Sequence, residues 1–345
     1  MIASVSMRVS VKLGVAALGA ALGVACAPAP AGRTTDGALA EVAINSGHGM
    51  QYVQAAAVAA IVEKYTPMMA FAEPTRSHVA AMPLFQSQDL DFIFVSQSEM
   101  ALANRGTEYY SEVGPTPMRV VAAGAEVMFA FYTDPEAGIE RIEDLAGKRV
   151  MWETEAAGVF YWAARYLLEY YDLIDSVVSI PSPQPVDRAE ALKAGRIDAF
   201  SASTQYEAME ILHSSIGLRM LDIPPDAAEY VHSRYPALYA AICPAGYNGG
   251  MVTRDVPVLA ASTGLHARAD LDDATVRAVL EAIYDHFDEF AAAHPALLDM
   301  RLDRAVSLDS VVPYHPAAVR FFQERGVWTP EAEAMQAALL DQLGA

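Results

Sequence analysis

Several segments of this 345-residue chain carry residue types that could do chemistry, and each stops short of a catalytic constellation. The loop Ser46-Gly47-His48-Gly49-Met50-Gln51-Tyr52 has glycines spaced like a dinucleotide-binding turn. Val53 and Gln54 stand where a third glycine would let helix and strand close up. No Gly-x-Ser-x-Gly elbow is available to a serine nucleophile, and no glycine-rich loop ends in Gly-Lys-Ser/Thr. The eight histidines lack the paired helical spacing of a zinc site. Cys243 sits in Ala-Ala-Ile-Cys-Pro-Ala-Gly and reads as a small core residue. Asp285, His286, Asp288 and Glu289 fall on one helical stretch and read as a solvated face. The chemistry left is that of holding a solute. No enzyme activity, cofactor or metal is expected.

The elements that would position such a site begin after an atypical first segment. Arg8 and Lys12 precede an apolar run from Leu13 to Ala25, and no acidic residue comes before Asp36. A basic start, a short apolar run and a small-residue exit predict a secretory signal peptide over 1–26 and an extracytoplasmic, periplasmic location. Two processing routes fit. Gly23-Val24-Ala25-Cys26 matches the last places of a lipobox, which would make Cys26 a lipid anchor. Small-x-small sites at Ala25-Cys26-Ala27 and Ala29-Pro30-Ala31 would serve ordinary cleavage instead. Either way Cys243 has no partner for a disulfide. Residues 27–38, rich in Ala, Pro, Gly and Thr, read as a flexible tether.

The net charge of −20 becomes −22 once Arg8 and Lys12 are removed, which argues against nucleic acid or an anionic membrane surface as partner. With 53% hydrophobic residues the chain is long enough for two lobes. Strand patterns at Glu41–Asn45, Met68–Ala72, Leu90–Val95, Arg119–Ala123 and Val127–Tyr132 alternate with helical patterns such as Gln51–Tyr65. A second unit begins near Ile142 and repeats the plan. It has a short helix, turn and strand over Ile142–Val150, a helix rich in aromatics over Val159–Tyr171, a strand at Val177–Ile180, a helix over Asp187–Ala194 and a strand at Ile197–Ser201. A long helix is predicted over Asp272–Ala293. The pattern predicts an α/β class with largely parallel sheets and a cleft between two lobes.

Several blocks, in order along nearly the whole mature chain, resemble the solute receptors of TAXI-type TRAP (tripartite ATP-independent periplasmic) transporters. They are Ala43 to Tyr65, Glu-Pro-Thr-Arg-Ser-His-Val (73–79), Asp89 to Glu99, Ile142 to Val150, Ala191 to Thr204, Tyr235 to Gly250 with Asp255 to Ala260, and Tyr314 to Gly326. The resemblance implies a type II periplasmic binding-protein fold. Its first lobe would comprise 39–125 and 236–345, its second 126–235, with a hinge and an interlobe ligand cleft. It implies a small polar organic solute, carboxylate or amino-acid-like, as ligand. A TRAP-type permease is the implied partner, and a sensor of the same fold feeding a signalling protein stays open as the alternative. The loops depart from the family pattern. Arg76, Ser77 and His78 replace Gly-Gly-Ser, and Glu153 to Gly158 replace Gly-Ser-Gly-Thr.

In such folds ligands meet the C-terminal ends of strands and the starts of helices. On that rule Ser46, His48, Gln51 and Tyr52 form the first candidate loop, able to offer backbone N–H groups to an anion. Arg76, Ser77 and His78 form the second, where Arg76 either grips a carboxylate with two parallel bonds or is an exposed loop charge. Ser96 and Gln97 either orient the ligand or cap the following helix. Trp152, Glu153 and Thr154 form the opposite wall, with Trp152 alternatively a core residue. Gln205, Tyr206 and Tyr247 complete the set.

Overall fold

A computed structural model describes residues 32, 37–46, 50–152, 159–181, 186–204 and 213–344. The signal segment with Cys26, and His48, Glu153, Thr154, Gln205 and Tyr206, lie outside the described residues. Strand β1 (Glu41–Ser46) leads through helix α1 (Met50–Tyr65) to β2 (Met69–Pro74), α2 (His78–Gln86), β3 (Phe92–Ser96) and α3 (Gln97–Arg105). Strand β4 (Met118–Thr133) then carries the chain out, and β5 (Arg149–Met151), α4 (Val159–Tyr170), β6 (Val178–Ser179), α5 (Val186–Lys193), β7 (Ala199–Ser203), β8 (Arg219–Met220) and α6 (Pro225–Arg234) follow. Strand β9 (Tyr239–Cys243), the short α7 (Tyr247–Gly250) and β10 (Val256–Arg268) return it to α8 (Asp273–Asp285), α9 (Phe287–Ala292), α10 (Pro316–Glu324) and α11 (Pro330–Leu343).

The described strands join in one sheet of order β2-β1-β3-β10-β4-β7-β5-β6, with β8 and β9 as side branches on β4 and β10. The β1–β2, β1–β3, β5–β6 and β5–β7 pairs are parallel, as alternating strands and helices require. The two long strands break the expected parallel order. Strand β10 runs antiparallel to β3, β4 and β9, because it comes back from the second lobe against the direction in which β4 went out. The two patterns predicted at 119–123 and 127–132 are one strand, since β10 pairs along nearly its whole length, and register shifts at Ser262/Gly264 and Leu265/His266 absorb the irregularity.

Side chains alternate across a strand, so β4 feeds two cores. Phe129 and Phe131 point to one side, with Leu145, Trp152, Leu167, Leu168 and Leu259. Met128, Ala130 and Tyr132 point to the other, with Leu192, Phe200, Cys243 and Val258. Burial on both faces explains the unbroken apolar run. A separate core gathers Val42, Ile44, Phe92, Phe94, Val121, Leu265, Phe321 and Phe322. The return segment, which the resemblance assigns to the first lobe from residue 236, contributes Leu238, Cys243, Val256 and Leu259 to the second-lobe cores instead. Its strand β9 pairs with the second-lobe half of β10, and that pairing holds it there.

Caps set the helix limits. The Asp272 carboxylate accepts from Thr275 N at 2.9 Å, whose hydroxyl oxygen accepts in turn from Leu39 N at 2.7 Å, pinning α8 to the start of the fold. The predicted helix over 272–293 is two. His286 leaves the helical path at φ −125° and ψ 32°, where its ring stacks on Tyr65. Gly195 takes φ +63° after α5, the left-handed turn expected of a C-cap. Cys243 is fully buried, and burial pushes its thiol up to about 11.

His266 on β10 is fully buried, with Nδ1 3.0 Å from the Gly264 carbonyl oxygen. Burial pulls its pKa down to about 4, so the native state refuses a proton that the unfolded chain accepts near pH 6.5. The stability its neutral form allows is present above pH 6.5 and is lost as pH falls toward 4, by about 3 kcal/mol. Urea midpoints for wild type and His266→Gln should diverge in slope over that window. Parallel pH profiles would exclude His266 as the source.

Candidate functional site

The parallel strands of both lobes end toward a common gap. In the first lobe β1 ends in Asn45 and Ser46, both fully buried. The Asn45 amide nitrogen donates to the Glu73 carbonyl at 2.8 Å and to Thr75 Oγ1 at 3.2 Å, tying this strand end to the β2–α2 turn. Asn45 Oδ1 and Ser46 Oγ have no hydrogen-bond partner. In the turn, Thr75 Oγ1 donates to the Ser77 carbonyl at 3.0 Å, and Ser77 Oγ caps α2 by accepting from Ala80 N at 3.2 Å. Arg76 stands exposed on the same turn. His78 is half-buried, and burial lowers its pKa against the opposing charge of Glu99. On the first turns of α1, Gln51 is half-buried and Tyr52 exposed.

Strand β3 ends in Ser96, whose Oγ lies 2.8 Å from Ser98 Oγ. Gln97 is almost fully buried, and its amide is engaged at both ends. Nε2 donates to Ser262 Oγ at 3.2 Å, while Oε1 accepts from Ser310 Oγ at 2.6 Å and Val311 N at 3.2 Å. Gln97 therefore ties α3 to the long return strand. Glu99 accepts from both Tyr109 and Tyr110 hydroxyls. Burial, and next the Glu99 charge, hold both phenols well above their ordinary range.

The second-lobe wall is aromatic. Trp152 is buried just past β5 and stacks on Tyr161 at 5.6 Å between ring centres. Tyr161 meets Trp162 edge-on at 5.1 Å, and Trp162 stacks on Tyr166 at 5.5 Å and on Tyr235 at 6.4 Å. The Tyr235 phenol lies beside Ser98 and Glu99 of α3 without a well-formed hydrogen bond; burial raises its pKa, and the Glu99 charge adds to this. Trp152 Nε1, Trp162 Nε1, Tyr235 OH and Ser201 Oγ all lack partners. The Ser201 carbonyl accepts from buried Arg188 of α5.

Hydrogen bonds from Asn45 tie the strand end at Ser46 to the turn that leads into 76–78, and Ser96 ends the neighbouring strand β3, while Trp152 is buried in the second-lobe core. Tyr247 is not with them: it packs against the core on the opposite face of the second-lobe sheet, with Tyr132 and Cys243. Sequence reasoning missed Asn45, Ser98, Glu99, Tyr161, Trp162, Tyr166 and Tyr235. The aromatic density of Phe160-Tyr161-Trp162 and Tyr166 was the available signal for three of them. Among the described residues no group of His, Cys, Asp or Glu side chains converges as a metal site, and no helix is long and apolar enough to cross a membrane.

Two α/β lobes joined by long crossing strands, with strand ends facing a gap, define the two-lobed periplasmic binding-protein fold. Residues 43–326 match the family model described as NMT1-like, and the chain belongs to that family. Among solved structures, PhnD1 from Prochlorococcus marinus (MIT 9301) in complex with methylphosphonate aligns with TM-score 0.52 and 11% identity, over 76% of this chain and 91% of that one. XAC2383 from Xanthomonas citri bound to ATP aligns at 0.49 and 10%, over 86% and 98%. A putative periplasmic sulfonate-binding protein SsuA from Methylobacillus flagellatus KT aligns at 0.47 and 16%, over 88% and 94%. At these identities the likeness to PhnD1 is one of fold.

Proposed function

We propose that the protein is an extracytoplasmic receptor, not an enzyme, that captures a small polar organic solute between its lobes and delivers it to a TRAP-type permease. One observation supports the capture: buried polar atoms without hydrogen-bond partners occur in both lobes, Asn45 Oδ1 and Ser46 Oγ in the first, Trp152 Nε1, Trp162 Nε1 and Ser201 Oγ in the second. Buried polar groups are normally paired, and a solute seated there would supply the missing partners. The ordered blocks resembling TAXI receptors, from Ala43 to Gly326, support the choice of permease. A signal peptide over 1–26, with Cys26 as lipid anchor, would place the receptor outside the cytoplasm.

Binding would draw the lobes together and shift the open–closed equilibrium toward the form that docks. Arg76, exposed on the first-lobe turn, would meet a carboxylate as they close. Mass spectrometry of solute released from natively purified protein, followed by thermal shift with that solute, tests the reading. A protein that carries no solute, or that turns the solute over, sinks it. For an anionic solute, Arg76→Ala should weaken binding at least ~10-fold, the scale of one charge-assisted bidentate contact. Unchanged affinity in calorimetry would remove Arg76 from the site.

A further inference from the structure

Resting on the receptor reading above, the geometry points to an aromatic carboxylate as the solute, its ring laid against the Trp152–Tyr161–Trp162–Tyr235 ladder and its oxygens met by the indole N–H groups. Three facts support this. The Trp152–Tyr161, Trp162–Tyr166 and Trp162–Tyr235 pairs are stacked nearly parallel, at 18°, 24° and 17°, in two sets that meet edge-on where Tyr161 faces Trp162 at 77°. A flat ring extends such a set, whereas a flexible acyclic solute meets it only at scattered points.

The indole nitrogens left over on the wall are also one-sided. An indole nitrogen can only donate, and both ladder indoles are buried without an acceptor. The Tyr235 hydroxyl, which lies beside Ser98, can accept as well as donate. A packed core would have satisfied these groups; a solute with oxygen acceptors does so on binding. Finally, the nearest acid does not convert the wall into a cage for cations, because both Glu99 oxygens already accept from Tyr109 and Tyr110.

The test uses the mature chain with Trp328→Phe, which leaves Trp152 and Trp162 as the fluorophores among three tryptophans. Benzoate and 4-hydroxybenzoate are the aromatic probes, glutarate and glutamate the acyclic ones. The expected result is quenching and a raised Tm with the aromatic acids, at affinities at least ten times those of the acyclic acids. Trp162→Leu should lose at least ten-fold in benzoate affinity by calorimetry. Trp162→Phe, which keeps a ring and loses the N–H, should fall between. Circular dichroism melts confirm that each variant is folded before its affinity is read. Glutarate or glutamate binding as tightly as the aromatic acids would overturn the aromatic assignment while leaving the receptor reading intact. So would unaltered benzoate binding by folded Trp162→Leu. A protein that binds neither class and releases no solute on denaturation overturns both.

Discussion

Asp91→Ala is expected to destabilise the protein by about 3–5 kcal/mol, the usual consequence of removing one member of a buried ion pair. Asp91 lies at the start of β3, and its carboxylate does two things at once. Oδ2 accepts from Ala43 N of β1 at 3.0 Å, and Oδ1 accepts from Arg268 Nε of β10 at 3.3 Å. Both partners are nearly fully buried. Burial raises the Asp91 pKa even though the Ala43 N–H and the Arg268 guanidinium pull it down. For the Asp91 carboxylate, the loss of water thus outweighs the attraction. Alanine strands the guanidinium without its acid, leaving it only Asp270 at 2.8 Å near the surface. The double variant Asp91→Leu/Arg268→Met should therefore recover most of the loss. Urea unfolding of Asp91→Leu, Arg268→Met and the double closes the cycle. A double variant as unstable as the sum of the singles would show that the pair does not work as a unit.

Gly264→Ala should destabilise by about 3 kcal/mol, because a methyl group at this position has nowhere to go. A Cβ built on Gly264 would lie 2.5 Å from the Ala122 carbonyl oxygen and 3.3 Å from Ala123 Cα. Both are backbone atoms of β4, so no rotamer change relieves the overlap. The clash falls where β4 and β10 cross from lobe to lobe and where the ladder slips register. A forced separation there would loosen the pairing of the two long strands. Gly32, whose nearest would-be neighbour is the Ala40 methyl at 3.5 Å, serves as the control, with a change below about 0.5 kcal/mol. Equal effects at the two positions in guanidinium unfolding would refute the steric account.

Much of the scaffold was legible because its periodicities are local. The first strands and helices fall within a few residues of where apolar runs and helical spacing put them. Strand topology was less so. Nothing within β4 or β10 says that two apolar runs separated by Gly124-Ala125-Glu126 form one strand; its partner, far along the chain, decides that. The split of the predicted long helix at His286 likewise depends on Tyr65, which the local pattern does not contain. At the candidate site, strand-end logic pointed to Ser46, the 76–78 turn, Ser96 and Trp152, of which the structure describes the surroundings. It did not single out Trp162 and Tyr235, which stack between α4 and the segment after α6. It also placed Tyr247 with the others, although that residue belongs to a different face of the sheet. Rings that are ordinary helix or loop residues one by one become a wall only through contacts between elements.

The order in which the strands pair has a consequence for how the chain comes to be folded. Ser96 and Phe92 at the two ends of β3 find their partners in Thr263 and Ala267, beyond the whole second lobe. A ribosome that has finished β1, β2 and β3 has built three strands with an open edge, and the helices α8 and α10 that would cover that core are not yet made. The first lobe is thus the first to be synthesised and the last to close. Its sheet waits for β10 before β3 gains a neighbour on that edge.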